Sequence, residues 1–558
     1  MGSAARLRPS DSGALQPLLR RSRSQRTKPR SLSDIHAGNV TALSMRRKIH
    51  LLGAVQLSCF LVLAVLSHGM APLLPFGAPR TEKLAWYREL GAALAPLGGG
   101  VEAFLSGDSF LSDRAVLLIS YCLPMLAATA VFVAVLALLH RSRDVLEPSD
   151  ARRLLNWGIA FGAAVAVASP VMTHDFWLSF GWGRMVAAGQ NPYYGLVPIE
   201  FIQNLPKGPY VTTMTYGPLW ALVSGSVMAV AQERTVLGAI LFKFILAAAW
   251  ILALHLIDRL LRDEATWHRC VGITIFGWLP LSSTQSVGEG HNDVFMVSLV
   301  LLWLYLLRQR RTVLASASLA CSAAVKYVSL PLFILDFLQH VRGGRASIRT
   351  YSWRFFVASA VVIAAFVPFF RFDGFFEPMV SMRNWHFYTP TEAVSTLARL
   401  LGVRESFFSF PGMFFAFFSI CIRAFFLLAP LYFVVRYYRK AGWHEFYGAA
   451  LAMMSAILFL GVGHVWPWFL VWVLALAALV PTLGLSRWVV GVAIAAPFPT
   501  LAWATFPPPV TATDARSFWV IDVAGVLMYV AAAIWFMSSK RLLGAPAACS
   551  DSCSTRNA

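Results

Sequence analysis

The chain has 558 residues, of which 58% are hydrophobic and only 13% are charged, and its formal net charge is +20. Because an ordinary soluble domain carries about 25% charged residues, this composition excludes a soluble globular protein and indicates a polytopic membrane protein. At about 20 residues per crossing, the length predicts an all-α bundle of about 12 to 14 transmembrane or re-entrant helices.

The N-terminal segment is strongly basic, with eleven Lys or Arg and only two acids among its first fifty residues. Basic segments of membrane proteins stay on the cytoplasmic side and contact anionic lipids, so we predict no nucleic-acid partner. We interpret residues 1–44 as a disordered basic cytoplasmic tail, 45–541 as the multi-span membrane domain and 542–558 as a short cytoplasmic tail. The seven cysteines form no CxxC pair, so neither a disulfide framework nor a zinc site is predicted.

Basic residues between the apolar runs predict which ends of the helices face the cytoplasm. The segments predicted on the opposite side are 70–113, 173–215, 371–405 and the stretches around His291 and His464. This assignment requires an even number of crossings between 173–215 and His291, so we interpret the short run 217–231 as a re-entrant or interfacial helix. The long run 313–338 is read as two half-helices that enter from the cytoplasm. The runs fall near 51–69, 115–139, 155–172, 217–231, 236–257, 271–286, 293–308, 313–338, 354–370, 411–434, 446–462, 466–481, 486–503 and 518–538.

A polar step interrupts this pattern after the third run, where His174 and Asp175 open the segment 173–215. A carboxylate where a membrane helix meets water is costly unless something uses it, although it can also serve simply as a helix cap. Aromatic residues such as Tyr193 suit both sugar rings and membrane interfaces, and Arg184 is available to pair with a phosphate. We hypothesise that Asp175 is the catalytic base of a membrane glycosyltransferase.

Four polar side chains, Glu289, His291, Asn292 and Asp293, occupy six residues between two apolar runs. A simple turn needs no His and two acids, so this group favours substrate binding. Metal ligation is conceivable, but no other His or carboxylate lies at a diagnostic spacing, so no cofactor is predicted, although a divalent metal is compatible.

Lys326 lies inside the apolar run 313–338, where a lysine costs about 2.5–3.5 kcal/mol on insertion scales. It either extends to the cytoplasmic interface or binds an anion, of which a lipid phosphate is the obvious one.

Two further segments on the outer side carry candidate substrate contacts. The loop 371–390 contains Arg383 and His386 among many aromatic residues, which fits a loop over a sugar-lipid site and equally fits a plain aromatic belt. The stretch from His464 to Trp468 fits interface anchoring, and His464 is also placed to hydrogen-bond a substrate.

Five stretches together resemble the polyprenol-phosphate-mannose-dependent α-(1→6)-mannopyranosyltransferases of the GT-C superfamily of membrane glycosyltransferases. They stand in the family's order over about residues 155–480, with His174 where the family often has Arg and Glu289 as an additional acid. The stretches are Asp175 to Tyr193, Tyr216 to Pro218, Gly290 to Met296, Ala324 to Lys326, and Trp466 to Trp468.

The resemblance implies a GT-C-like helical fold with its active site on the extracytoplasmic side of the cell membrane. It implies a polyprenyl-phosphate sugar donor, a glycan or glycolipid acceptor, and transfer of a hexose, mannose by the family, with inversion. Asp175 matches the acidic residue of the family's first external loop. As cations for the donor phosphate we take Lys326, Arg184 and Arg383, in falling order. The other expected substrate contacts are His174, Tyr193, Glu289, His291, Asn292, Asp293, His386 and His464.

The alternative function is a transporter or flippase of a lipid-linked or polar solute, which Lys326 and a broken run 313–338 would serve. That function predicts internal repeats and polar residues spread across the depth of the bilayer. The polar residues here collect on one face, so the sequence favours the enzyme.

Overall fold

The computed structural model describes residues 32–70, 113–202, 205, 212–342, 348–370, 388–403, 410–499 and 515–544. These residues form helices joined by short connections and contain no β-strand, which confirms the all-α prediction. The helices are α1 (Leu32–Met70), α2 (Asp113–Arg141), α3 (Pro148–Ala166), α4 (Asp175–Ala187), α5 (Ile199–Ile202), α6 (Pro218–Ala231), α7 (Thr235–Leu260), α8 (Thr266–Gly277), α9 (Pro280–Ser283, continued by a π-helical turn Thr284–Gly288), α10 (Asp293–Arg308), α11 (Thr312–Val325), α12 (Leu332–Arg342), α13 (Ile348–Phe366), α14 (Pro390–Leu400), α15 (Phe410–Lys440), α16 (Trp443–Ala456, continued by a π-helical turn Ile457–Gly461), α17 (Leu470–Leu479), α18 (Gly484–Ala495), α19 (Ala515–Ser538) and α20 (Lys540–Leu543).

Several of these helices are long and apolar enough to cross a membrane, which confirms the polytopic class. Six described helices meet that test, or seven if the bent pair Pro280–Gly288 and Asp293–Arg308 forms one span, and four shorter apolar helices accompany them. Helix α1 begins at Leu32, ahead of the boundary predicted at residue 45. The rest of the predicted N-terminal tail and most of the C-terminal tail lie outside the described residues.

Basic residues gather at one end of the bundle, which we call the basic end. Arg46 of α1 forms ion pairs with Glu147 and Asp150 at the start of α3. Arg308, the last residue of α10, donates a hydrogen bond of 2.8 Å to Asp263 and another to the carbonyl of Leu260, the last residue of α7. Arg46 of α1, the N-terminus of α3 and the C-termini of α7 and α10 therefore mark the basic end.

Helices α4 and α6 run side by side in the same direction. The Trp220 indole of α6 donates a 3.2 Å hydrogen bond to Ser179 of α4, and one turn further on a Cβ at Gly183 would overlap the carbonyl of Ser224. Helix α6 has 14 residues and ends shortly before Thr235, the end of α7 that lies away from the basic end. This arrangement agrees with a re-entrant or interfacial helix at 217–231.

The long run 313–338 is broken at Lys326, between α11 and a short 3₁₀ turn. Helix α12 then returns beside α11, since Asp336 of α12 accepts a 2.8 Å hydrogen bond from Ser316 near the start of α11. Both helices thus have one end at the basic end, as the two-half-helix interpretation requires. Their turn, which contains Lys326, lies toward the opposite end of the bundle.

A sharp bend precedes α10 at that opposite end. The axes of Pro280–Gly288 and Asp293–Arg308 differ by 112°. Gly290 in the bend has φ +78°, a conformation in which L side chains are strained, and a Cβ there would overlap the ring of Phe176. Glycine therefore allows the bend to pack directly against the first turn of α4.

Candidate active site

Asp175 is the first residue of α4, and its carboxylate faces two side chains from distant segments. Its Oδ2 accepts a 2.7 Å hydrogen bond from the Tyr216 hydroxyl and lies 3.5 Å from Nδ1 of His291. The His291 side chain is fully buried, whereas 26% of the Asp175 side chain is exposed. The carboxylate thus has one supported side and one accessible side.

The surroundings of Asp175 keep its carboxyl ionised. Burial alone raises the pKa of Asp175, but contacts with His291, the Tyr216 hydroxyl and the charge of Lys326 outweigh it and lower the pKa to about 2. Burial and the nearby carboxylates of Asp175 and Asp293 raise the pKa of Tyr216 well above its usual value, so its hydroxyl stays a neutral donor. At neutral pH, Asp175 is an ionised carboxylate with a proton donor on one oxygen.

Lys326 lies beside this group and is paired with Asp293. Its Nζ is 2.6 Å from Oδ1 of Asp293, which also accepts a hydrogen bond from the Trp472 indole. The ammonium also lies over the rings of Tyr216 (4.8 Å), Phe469 (4.9 Å) and Trp472 (5.4 Å), a cation–π arrangement. An ammonium has three N–H donors, and in the described part of the chain Asp293 is the only hydrogen-bond acceptor on Lys326 Nζ.

A backbone contact joins the segment that carries Tyr216 to the turn that carries Lys326. The amide of Gly217 donates a 2.8 Å hydrogen bond to the carbonyl of Val325. A Cβ at Gly217 would overlap the carbonyl of Ala324, so only glycine permits this approach without a shift.

His291 is oriented by stacking. Its ring lies parallel to that of Trp468, with centroids 4.1 Å apart and planes 11° apart, and the ring of Trp466 stacks on Trp468 with centroids 5.2 Å apart. Both ring nitrogens of His291, both polar side-chain atoms of Asn292 and Oδ2 of Asp293 are buried without a hydrogen-bond partner among the described residues. Because buried polar atoms are normally satisfied, five such atoms in three consecutive residues indicate a place for a polar ligand or water.

Glu289 and Lys243 connect the bend before α10 to its neighbours. The Glu289 carboxylate accepts hydrogen bonds from the backbone amides of Val171 (3.3 Å) and Met172 (2.8 Å). Lys243 of α7 donates a hydrogen bond of 2.6 Å to the carbonyl of Val287 and a second to that of Gly288.

Two kinds of comparison with known proteins match the part of the chain that carries this site. Residues 90–341 match the family model described as "Alpha-(1->6)-mannopyranosyltransferase, N-terminal domain". Over these residues the chain is similar to this family of glycosyltransferases. The matched region contains Asp175, Tyr216, His291 and Lys326, whereas the stacking Trp468 lies beyond it.

Two relatives carry the name alpha-(1->6)-mannopyranosyltransferase A. The protein from Mycobacterium tuberculosis is 25% identical over 393 residues, which cover 65% of this chain and 73% of the relative. The protein from Corynebacterium glutamicum is 24% identical over 206 residues, 36% of this chain and 42% of the relative. No solved structure matches the chain.

The structure brings most of the predicted site residues together. His291, Asn292, Asp293 and Lys326 lie with Asp175 at the end of the bundle opposite the basic end, and His174 directly precedes α4. Tyr193 supports the group from behind, because its hydroxyl donates a 2.8 Å hydrogen bond to the carbonyl of Tyr216. The predicted site residues that lie together are His174, Asp175, Tyr193, His291, Asn292, Asp293 and Lys326.

Other predicted residues are placed differently. Arg184 lies nine residues along α4 from Asp175, roughly 13 Å along the axis, where it hydrogen-bonds the carbonyl of Phe201 (2.5 Å) and the hydroxyl of Thr235 (3.5 Å). His464 is buried near Trp466 and Phe469, with ring centroids 6.2 and 5.4 Å away. Arg383 and His386 lie outside the described residues.

Sequence reasoning missed three residues that the structure places at or beside the site. Tyr216 lies in one of the five stretches that carry the resemblance but was given no role, and Trp472 carries no signal within an apolar run. Lys243 did carry one, since it is a lysine inside the apolar run 236–257, the same signal that singled out Lys326.

No group of three or more His, Cys, Asp or Glu side chains close enough to hold a metal ion occurs among the described residues. That no cofactor is needed, with a divalent metal still compatible, stays a prediction from the sequence.

Proposed function

We propose that this glycosyltransferase moves a mannosyl group from a polyprenyl-phosphate donor to a hydroxyl of a glycan or glycolipid acceptor, with inversion at the anomeric carbon. The observation that carries the proposal is the ionised Asp175, held by Tyr216 and His291 beside the buried cation of Lys326. The names of the family and of both relatives support the mannosyl group.

Asp175 is the proposed general base. The acceptor hydroxyl oxygen forms the new bond to the anomeric carbon, the bond from that carbon to the phosphate oxygen breaks, and the hydroxyl proton passes to the Asp175 carboxylate. A positioned base of this kind contributes roughly 10²–10⁴-fold. The hydrogen bond from Tyr216 leaves the accessible part of the carboxylate to meet the acceptor.

Lys326 is the proposed contact for the phosphate. The departing phosphate is a stable anion, so it needs a cation more than a general acid. The Tyr216 hydroxyl touches the proposed base and its ring face touches Lys326, so this phenol separates base from cation. Inverting displacement needs the base and the leaving group on opposite faces of the sugar, and this separation supports it.

The proposed location of the reaction is the extracytoplasmic side. Asp293 and Arg308 stand at opposite ends of α10, roughly 22 Å apart along its axis. Since basic loops stay in the cytoplasm, the end that holds Asp293 faces away from it. The transporter or flippase alternative gains no support, because the polar residues named here gather at one end of the bundle.

The test compares variants in vesicles supplied with polyprenyl-phosphate mannose, polyprenyl-phosphate glucose or GDP-mannose, together with a mannan acceptor. We expect mannose transfer from the lipid-linked donor alone and a loss of at least about 100-fold in Asp175→Asn. The matched control is Asp263→Asn, which removes an exposed carboxylate at the basic end. Near-normal turnover by Asp175→Asn, or transfer from the nucleotide sugar alone, would contradict the proposal.

A further inference from the structure

Two chain segments that are far apart in sequence carry the facing residues Asp175 and His291. Their main connection is Glu289, whose two carboxylate oxygens each accept one backbone hydrogen bond, from Val171 and Met172, 118 and 117 residues away. Glu289 is 4% exposed, so water competes little for these bonds. The carboxylate therefore acts on the backbone that leads into α4 rather than on a substrate.

Lys243 holds the same bend from its other side. It lies in α7, where a lysine is costly, and its ammonium donates to the last two carbonyls of the π-helical turn Thr284–Gly288. Carbonyls at the end of a helix lack partners within the helix and attract cations. The same ammonium lies 5.3 Å from the ring centroid of Phe176, the residue after Asp175.

We infer that Lys243 and Glu289, the positioning pair, set the alignment of Asp175 with His291 and so control the chemical step without touching a substrate. The inference rests on the proposed function. The alternative is that the positioning pair only stabilises the fold.

Three observations favour alignment over bulk stability. The hydrogen bonds of the positioning pair end within four residues of Asp175 or His291. Gly290, between Glu289 and His291, packs so closely on Phe176 that a Cβ there would overlap the ring. Apart from the 3.5 Å approach of Nδ1 to Asp175, the ring nitrogens of His291 have no polar contact among the described residues, so the backbone and stacking hold this ring in place.

Loss of the positioning pair has a kinetic consequence that a stability defect lacks. A 1 Å misplacement at a reacting centre costs about 100-fold in rate, so we expect a fall in kcat with KM for the donor changed by less than about 3-fold. Loss of the positioning pair also shifts the acid limb of the pH–rate profile, that is, the fall in rate at low pH that follows protonation of Asp175. The groups that face Asp175 are His291, Tyr216 and Lys326, with Asp293 behind Lys326, and a looser contact with His291 raises the pH at which the carboxylate is protonated.

The experiment uses the full-length protein in vesicles with polyprenyl-phosphate mannose. Glu289→Gln keeps the shape but replaces one acceptor by an N–H, and Lys243→Met removes all donors at similar length. We expect kcat to fall about 10- to 100-fold in each, the acid limb to move to higher pH, and Lys243→Arg to restore part of the rate. The matched control is Asp336→Asn, which breaks an equally buried pair with Arg354 (2.6 Å) away from the site. It should lower the unfolding temperature and leave the acid limb in place.

Each outcome has a separate meaning when Asp175→Asn is measured in the same assay. If Asp175→Asn is inactive and the two variants keep the wild-type kcat and acid limb, the positioning role is wrong and the proposed function stands. If both variants lose rate only in proportion to folded protein, with the acid limb unmoved as in Asp336→Asn, their role is structural and the inference is again wrong. If Asp175→Asn is fully active, the proposed function itself fails.

Discussion

The pair of Lys326 with Asp293 gives a quantitative prediction about charge inside this bundle. Its atoms lie 2.6 Å apart, and 7% of the lysine and none of the aspartate side chain is exposed. Lys326→Met leaves a buried carboxylate with no cation, which costs about 3–5 kcal/mol of the free energy of unfolding. Asp293→Asn added to it removes that charge and still accepts from Trp472, so the double variant should lose less than about 2 kcal/mol.

The assay is a double-mutant cycle of unfolding in mixed micelles, read alongside mannosyl transfer. The coupling between the two substitutions should be at least about 1–3 kcal/mol, whereas Arg399→Met, which breaks an exposed pair with Glu392, should cost under about 1 kcal/mol. Activity should be lost in Lys326→Met and in the double variant, because both lack the proposed phosphate contact. Additive effects on stability would refute the buried ion pair, and an active double variant would refute the role of Lys326.

Three further predictions concern the residues around the proposed base. The pKa of Asp175 is lowered from 3.8 to about 2, so its ionisation stabilises the fold above about pH 4. This stabilisation is lost as the pH falls through about 2. A plot of kcat/KM against pH should therefore show no fall due to the protonation of Asp175 above about pH 4. Gly290→Ala combines a positive φ with a steric overlap and should lower the free energy of unfolding by about 1–3 kcal/mol, more than Gly402→Ala, where φ is +70° but the space is open; equal losses would exclude the overlap. Trp468→Leu should reduce kcat about 3- to 10-fold by removing the stack on His291, while Trp468→Phe keeps most of the rate, and identical kinetics of the two variants would contradict a role for stacking.

Much of the architecture follows from hydrophobic runs and basic residues. The run 313–338 is too long for one helix and contains a lysine and a proline, and the chain indeed breaks at Lys326. The shortness of 217–231 and the need for an even number of crossings predict a helix that does not span the membrane, and α6 indeed has only 14 residues. These features are local, because each depends on the length and charge of one segment.

The arrangement of the site depends on contacts that the sequence does not contain. Tyr216 meets Asp175 across 41 residues, and only packing of α4 beside α6 brings its hydroxyl to the carboxylate. Arg184 shares α4 with Asp175, yet the rise of the helix places it near the other end of α4. There the carbonyl of Phe201 and the hydroxyl of Thr235 accept its hydrogen bonds. Closeness to Asp175 in the sequence therefore suggested a role for Arg184 in the site and gave no indication of the role of Tyr216.

The hydrogen bond from Gly217 to Val325 couples the segment beside the proposed base to the turn that carries the proposed phosphate contact. It joins the chain that presents Tyr216 to the turn between α11 and α12 that presents Lys326, so a shift of one is expected to move the other. We expect a lipid that presses on α12 to be felt at the acceptor side, and substitutions on the lipid-facing surface of α11 and α12 to change which hydroxyl is glycosylated.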